Sequence, residues 1–170
     1  AILCVASVLT SAMFAAPKKT KTKGTKIGVS MPTKDLQRWN QDGANMKAQL
    51  QKAGYKVDLQ YAANDIPTQV SQIENMITGK CKVLVIAAID GSALKNPLEQ
   101  AKKKGIKVIA YDRLIMNTDA VSYYATFDNY KVGTIQGEYL VDKLGLKDRT
   151  KKNPVYMELF TGDPGDNNIN

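Results

Sequence analysis

The sequence predicts an α/β domain built on a doubly wound, parallel sheet. Two observations carry that expectation. Short β-rich runs alternate with amphipathic runs of helical period from Lys26 onward, the signature of tandem βα units. The central run "KVLVIAAI" is apolar throughout, as a strand covered on both faces should be. A chain of 170 residues with 44% hydrophobic content is long enough for one domain with a substantial core.

The elements follow in order. "KIGVSM", Lys26 to Met31, is a strand. Leu36, Trp39, Met46 and Leu50 then recur at helical spacing, and Gly54 ends that helix. "KVDLQYA" alternates like a strand. "DIPTQVSQIENMITG" carries Pro67 in its first helical turn, a stripe of Val70, Ile73 and Ile77, and Gly79 as its stop. After "KVLVIAAI", the run "SALKNPLEQAKKKG" is a helix closing in lysines and Gly105. "IKVIAY" is the next strand, and "VSYYATF" another nearer an edge. "YKVGTIQGEYLVDKLG" is a helix and "PVYMELF" is predicted as the last strand. A further helix is expected after "DNN", whose side chains suit an N-cap. The chain reaches Asn170 before that helix is built, so the sequence reads as truncated inside the fold.

Two segments precede the domain. Residues 1–16, "AILCVASVLTSAMFAA", are an apolar run closing in small residues. The run is short for a membrane span and reads as a partial signal peptide, which predicts export to the periplasm. Residues 17–25 form a Lys-rich, solvated tether, and the domain covers 26–170. Five of the +8 net charges lie in "PKKTKTKGTK", which leaves +3 for the rest. That remainder is too mildly basic to predict nucleic-acid binding.

Composition removes several chemistries. The absence of histidine takes away the commonest general base and zinc ligand. Cys4 and Cys81 stand far apart with no C-x-x-C, so neither a metal site nor a disulfide scaffold is predicted, and Cys81 is expected as a packed thiol. No G-x-x-x-x-G-K-[ST], G-x-G-x-x-G or G-x-S-x-G motif stands where phosphate, dinucleotide or acyl chemistry needs it. No catalytic residue, metal or cofactor is expected.

Ligands of open parallel sheets bind beyond the carboxyl ends of the strands. There the first strand is followed by Lys34, Asp35, Arg38 and Trp39, and the third by Asp90. The fourth is followed by Asp112 and Arg113, and the last by Asp163, Asp166, Asn167 and Asn168. Carboxylates and amides accept from hydroxyls, guanidinium and amide groups donate to oxygens, and an indole can cover the apolar face of a sugar ring. The set therefore suits a polyol. Arg113 beside Asp112 is expected to keep the carboxylate ionised and fixed. Asp90 is equally suited to capping, Asp128 and Asn129 are better suited to capping than to a ligand, and Trp39 could equally be core.

The stretches "IGVSMPTKDLQRW", "TQVSQIENMITGKCKVLVIAAIDG", "GIKVIAYDRLI", "VSYYATFDNYKVG" and "GDPGDNN" resemble the periplasmic sugar-binding proteins of ABC importers, in the branch that binds xylose or several sugars such as glucose and galactose. The resemblance runs from about Lys26 to Asn170. It implies the N-terminal domain of a type I periplasmic-binding-protein fold, with the second domain missing. It implies a monomer that binds one monosaccharide and delivers it to a membrane ABC permease, with a chemoreceptor as a further partner. It places Arg38, Trp39, Asp112, Arg113, Asp166, Asn167 and Asn168 in the sugar cleft, with Lys34 and Asp90 as further candidates. Two other readings of the same fold are the sugar-sensing domain of a transcription regulator and a small sugar enzyme. The first needs a helix-turn-helix ahead of the first strand, where the apolar run and the tether stand instead. The second needs a visible base or phosphate cradle.

Overall fold

The structure is a computed structural model that describes residues 24–162. Five strands form one sheet: β1 Lys26–Met31, β2 Lys56–Tyr61, β3 Val83–Ile86, β4 Lys107–Tyr111 and β5 Val121–Ala125. Their order is β2-β1-β3-β4-β5, and every pairing is parallel. The helices are α1 Gln37–Lys52, α2 Ile66–Thr78, α3 Lys95–Lys103 and α4 Asn129–Lys143, with a 3-10 turn at Leu146–Asp148. The doubly wound α/β class is as predicted.

Strand alternation assigns the helices to faces. One core joins Ile73, Met76 and Ile77 of α2 and Leu98 and Ala101 of α3 to Leu84, Ile86, Val108 and Ala110 of the sheet. The other packs Trp39, Met46 and Leu50 of α1 on Ile27, Val29, Met31 and Val85. Between these rows Gly28 faces α2. A Cβ there would stand 2.6 Å from Met76 Sδ and 2.9 Å from Leu84 Cδ2, so a glycine is what lets α2 approach β1. Asp65 caps α2 by accepting from the Thr68 N–H at 2.8 Å, with Pro67 in the first turn. Cys81 is a buried thiol, as expected, and burial raises its pKa.

The strand order reverses beside β1, so β1 and β3 send their connections to opposite sides, and a crevice opens between their carboxyl ends. A buried side chain spans it. Gln69 of α2 donates through Nε2 to Ser30 Oγ at 3.2 Å and to the Ala87 carbonyl at 3.0 Å. Its Oε1 accepts from the Ile89 N–H at 2.9 Å. The apolar run "KVLVIAAI" therefore leaves the ladder after Ile86: the Ala87 N–H still donates to the Ser30 carbonyl of β1 at 3.0 Å, and the Gln69 amide holds the Ala87 carbonyl and the Ile89 N–H.

One predicted element is corrected. Residues 154–160, "PVYMELF", form no strand; Tyr156, Leu159 and Phe160 are each more than 90% exposed. A parallel strand needs cover on both faces. Helix α4 buries none of its residues, and β5 is itself largely exposed, so nothing among the described residues roofs a sixth strand. The helix expected after "DNN", the signal segment predicted at residues 1–16 and residues 17–23 of the predicted tether lie outside the described residues.

Replacing Gln69 by Leu leaves the buried Ala87 carbonyl and the partly buried Ile89 N–H without their side-chain partner. Such orphaned groups cost about 1–3 kcal/mol. Urea unfolding of Gln69→Leu should show a loss of that size, and an unchanged midpoint would refute the clamp.

Candidate functional site

The site is built on the end of β4. Along β4 the two-residue period sends Val108 and Ala110 to the α2–α3 core, and Ile109 and Tyr111 to the α1 core. Asp112 would continue toward α2 and α3. Its φ of +61° breaks the period. The Arg113 N–H donates back to the Tyr111 carbonyl at 2.7 Å, which closes a three-residue turn over Asp112. A left-handed backbone at a non-glycine residue costs on the order of 1–3 kcal/mol, and aspartate tolerates it better than most. Neighbouring groups pin the turn. The Asp112 N–H donates to the Ala125 carbonyl at 2.8 Å, while Tyr124 Oη and Thr126 Oγ1 donate to the Asp112 carbonyl at 3.0 and 3.1 Å.

The turn delivers the Asp112 carboxylate, with the residue only 5% exposed, to Arg38 at the start of α1. Arg38 Nη2 donates to Asp112 Oδ1 at 2.6 Å. Arg38 Nε lies 3.6 Å from Asp42 Oδ2 one helical turn on, and the Tyr111 hydroxyl donates to that same oxygen at 3.1 Å. Burial works against the Arg38 charge. The hydrogen bond and charge of Asp112, with help from Asp42 and Tyr111, outweigh it, and the guanidinium pKa lies above its ordinary value. Burial raises the Tyr111 pKa, and the bond to Asp42 adds to the rise, so this phenol stays a neutral donor.

Trp39 adjoins Arg38 in sequence and turns inward beneath it. It is 4% exposed, packed in the α1 core. The Arg38 guanidinium lies 4.6 Å from its ring centroid and that of Arg113 lies 5.4 Å away, both within cation–π range. The indole thus lies as a floor beneath two guanidiniums. Arg113 Nη1 donates to the carbonyls of Ala88 at 3.1 Å and Ile89 at 3.4 Å, which ties the end of β4 to the chain beyond β3.

An open cavity of about 280 Å³ is lined by Arg38, Tyr111, Asp112, Ala125, Thr126 and Phe127, close to the lower end of the ligand-pocket range. Phe127 is 49% exposed, and the Arg38 guanidinium lies 5.9 Å from its ring centroid. The wall therefore combines a carboxylate acceptor, a guanidinium donor, hydroxyls that do both and an exposed apolar ring. Those groups have the donor and acceptor chemistry that suits a small neutral molecule rich in hydroxyls.

The remaining candidates stand as follows. Lys34 lies over the Tyr61 ring at 5.7 Å and lines a groove between α1 and β2, a different depression from the one at Asp112. Asp90 accepts from the Ser92 N–H at 2.7 Å and shapes the turn before α3. Asp128 caps α4 through the Lys131 N–H at 2.9 Å, as the capping alternative predicts. Asp163, Asp166, Asn167 and Asn168 lie outside the described residues. Sequence reasoning missed Asp42, Tyr111, Thr126 and Phe127. The i, i+4 spacing of Arg38 and Asp42 and the placement of Phe127 just past β5 were the available signals.

The periplasmic binding protein domain model matches residues 27–170, most of the chain. The chain belongs to the periplasmic binding protein family. The multiple sugar-binding periplasmic receptor ChvE of Rhizobium radiobacter is 57% identical over 166 residues, which cover 98% of this chain and 46% of that protein. The D-xylose-binding periplasmic protein of Escherichia coli is 41% identical over 140 residues, covering 82% of this chain and 40% of that one. A solved ABC transporter solute-binding protein from Clostridium phytofermentans, with bound β-D-glucose, is 70% identical with a TM-score of 0.81, covering 85% of this chain and 44% of its own. The chain thus spans less than half the length of these relatives. Family membership fits a cavity at the carboxyl edge of the sheet, where this architecture leaves room for a ligand.

Removing the Arg38 guanidinium while keeping its stem takes from the buried Asp112 carboxylate its 2.6 Å donor. Arg38→Met should lower folding stability by roughly 1–3 kcal/mol, read from denaturant midpoints. A value within error of zero would show that the 2.6 Å contact is a surface pair of no consequence.

Proposed function

We propose that this chain supplies the N-terminal wall of a monosaccharide site in an exported solute receptor. The cargo belongs to the xylose, glucose and galactose class, and the receptor acts in the periplasm as a monomer that hands sugar to an ABC permease, with a chemoreceptor as a further partner. Its role is to bind, not to catalyse. The observation that carries this reading is the pairing of Asp112 with Arg38 at 2.6 Å, at the edge of a cavity that also holds Phe127. The pair offers adjacent acceptor and donor atoms, which suits the alternating hydroxyls of a pyranose. Phe127 offers its face to the C–H side of the ring. Trp39 and Arg113 act from beneath by fixing the guanidinium of Arg38 and the end of β4. Asp166, Asn167 and Asn168 belong to the same wall in this reading, and Lys34 and Asp90 stand outside it. The sugars named for the related receptors and solved structures support the same class of cargo.

The chain's one tryptophan is Trp39, so its indole resonance reports on the site without labelling. Titration with D-glucose, D-xylose, D-galactose and L-arabinose should shift that resonance saturably. One open wall must offset the entropy of association with few contacts, so dissociation constants of roughly millimolar or weaker are expected. Asp112→Ala should abolish the shifts. Where a second wall closes over the cavity, the same substitution should cost roughly 2–5 kcal/mol of binding. Shifts that survive Asp112→Ala, or no shift with any of the four sugars, would overturn the assignment.

A further inference from the structure

The end of the sheet opposite the candidate site is strongly basic. Lys26, Lys56 and Lys107 are the first residues of β1, β2 and β4, and Lys82 immediately precedes β3. The register sets Lys26 directly beside Lys56. Lys52, Lys80, Lys102, Lys103 and Lys104 end or follow the three helices that return the chain to this edge. Lys26 pairs with Asp58 at 2.9 Å and Lys102 with Asp119 at 2.7 Å. The other seven are exposed and form no ion pair among the described residues.

Helix dipoles account for part of this. Lysines in the last turns of α1 and α3 sit favourably against the negative ends of those helices. They do not account for Lys56, Lys82 and Lys107 at strand starts, or for Lys80 in the turn after α2. Like charges gathered without counter-charges repel one another, so the cluster is a standing demand for an external anion. A receptacle is present. Lys80, Lys82 and Lys104 surround a cavity of about 280 Å³ whose apolar lining is Ile77, Cys81 and Ile106. Gly24 and Thr25 enter the domain at this same end, where β1 begins, and the sequence just before them carries Lys18, Lys19, Lys21 and Lys23.

We propose that this basic end docks on an anionic lipid bilayer, with a lipid phosphate seated among Lys80, Lys82 and Lys104. Lysines within a Debye length of an anionic surface each add to the attraction. Grooves for single-stranded nucleic acid add stacking aromatic rings to their basic residues, and this cavity has none. The docked orientation leaves the Arg38–Asp112 cavity facing away from the lipid and open to solvent, since the two lie at opposite ends of the strands. The inference stands apart from the sugar reading and survives its failure.

Vesicle flotation of the whole chain tests it, with vesicles of phosphatidylcholine alone and of phosphatidylcholine with 30% phosphatidylglycerol. At about 1 kcal/mol for each lysine near the surface, the triple variant Lys80→Gln, Lys82→Gln, Lys104→Gln should lose on the order of 100-fold in partition to the anionic vesicles. The charge-preserving triple Lys→Arg variant should keep it, which separates lost charge from lost folding. Equal partition of the unaltered chain into both vesicle types would overturn the proposal. So would a Lys→Gln triple variant that partitions normally, or a loss produced entirely by Lys→Gln changes at Lys18, Lys19, Lys21 and Lys23. Displacement from the vesicles by a single-stranded oligonucleotide at equal charge would assign the surface to nucleic acid instead.

Discussion

A 2.6 Å contact between Arg38 and Asp112 joins residues 74 positions apart and ties the end of β4 to the start of α1. Much of the site's geometry rests on it. The contact requires Asp112 to leave the alternation of its strand, which requires a positive φ. That conformation persists because Ala125, Tyr124 and Thr126 hold the turn's backbone from the β5 side. Arg38 in turn is steered by Asp42, Tyr111 and the Trp39 ring. The ion pair is the meeting point of two supporting shells, and each shell is anchored in a different helix or strand. A strained backbone held by surrounding structure is a common device where a side chain must be aimed with precision.

A second constraint acts at the reversal of strand order. Parallel strands whose connections leave on opposite sides must part at their carboxyl ends. Gln69 bridges that parting with three hydrogen bonds, so the edge carrying the Arg113 carbonyl partners, Ala88 and Ile89, is held where ladder bonds have ended. The sheet therefore has two chemically distinct ends. One collects a carboxylate, guanidinium groups and aromatic rings around a small cavity, and the other collects lysines. Directionality of the parallel strands is what sets these two ends apart.

Much of this was legible in the sequence, because it was written in local patterns. The strand Lys26–Met31 matches its prediction, and α2 was announced by Pro67 and the stripe of Val70, Ile73 and Ile77. Asp128 announced α4. What escaped was non-local. Gln69 sits on the buried stripe of α2 and looks like an ordinary polar helix residue until β1 and β3 are brought to it. Asp112 was singled out beside Arg113, yet its 2.6 Å partner, Arg38, is remote in sequence. Trp39 has the same spacing whether it floors a site or faces a ligand, and only packing decides between them. The run 154–160 has strand composition, but composition cannot supply the partners and cover that a parallel strand needs.

The most direct measurement of the central claim is a crystal structure of the protein soaked in concentrated D-glucose. The account predicts sugar density in the cavity lined by Arg38, Tyr111 and Phe127, with at least one ring hydroxyl within hydrogen-bond distance of the Asp112 carboxylate and Arg38 still bound to it. Sugar bound only in the groove beneath Lys34, or an Asp112 carboxylate turned away from the ligand, would contradict it.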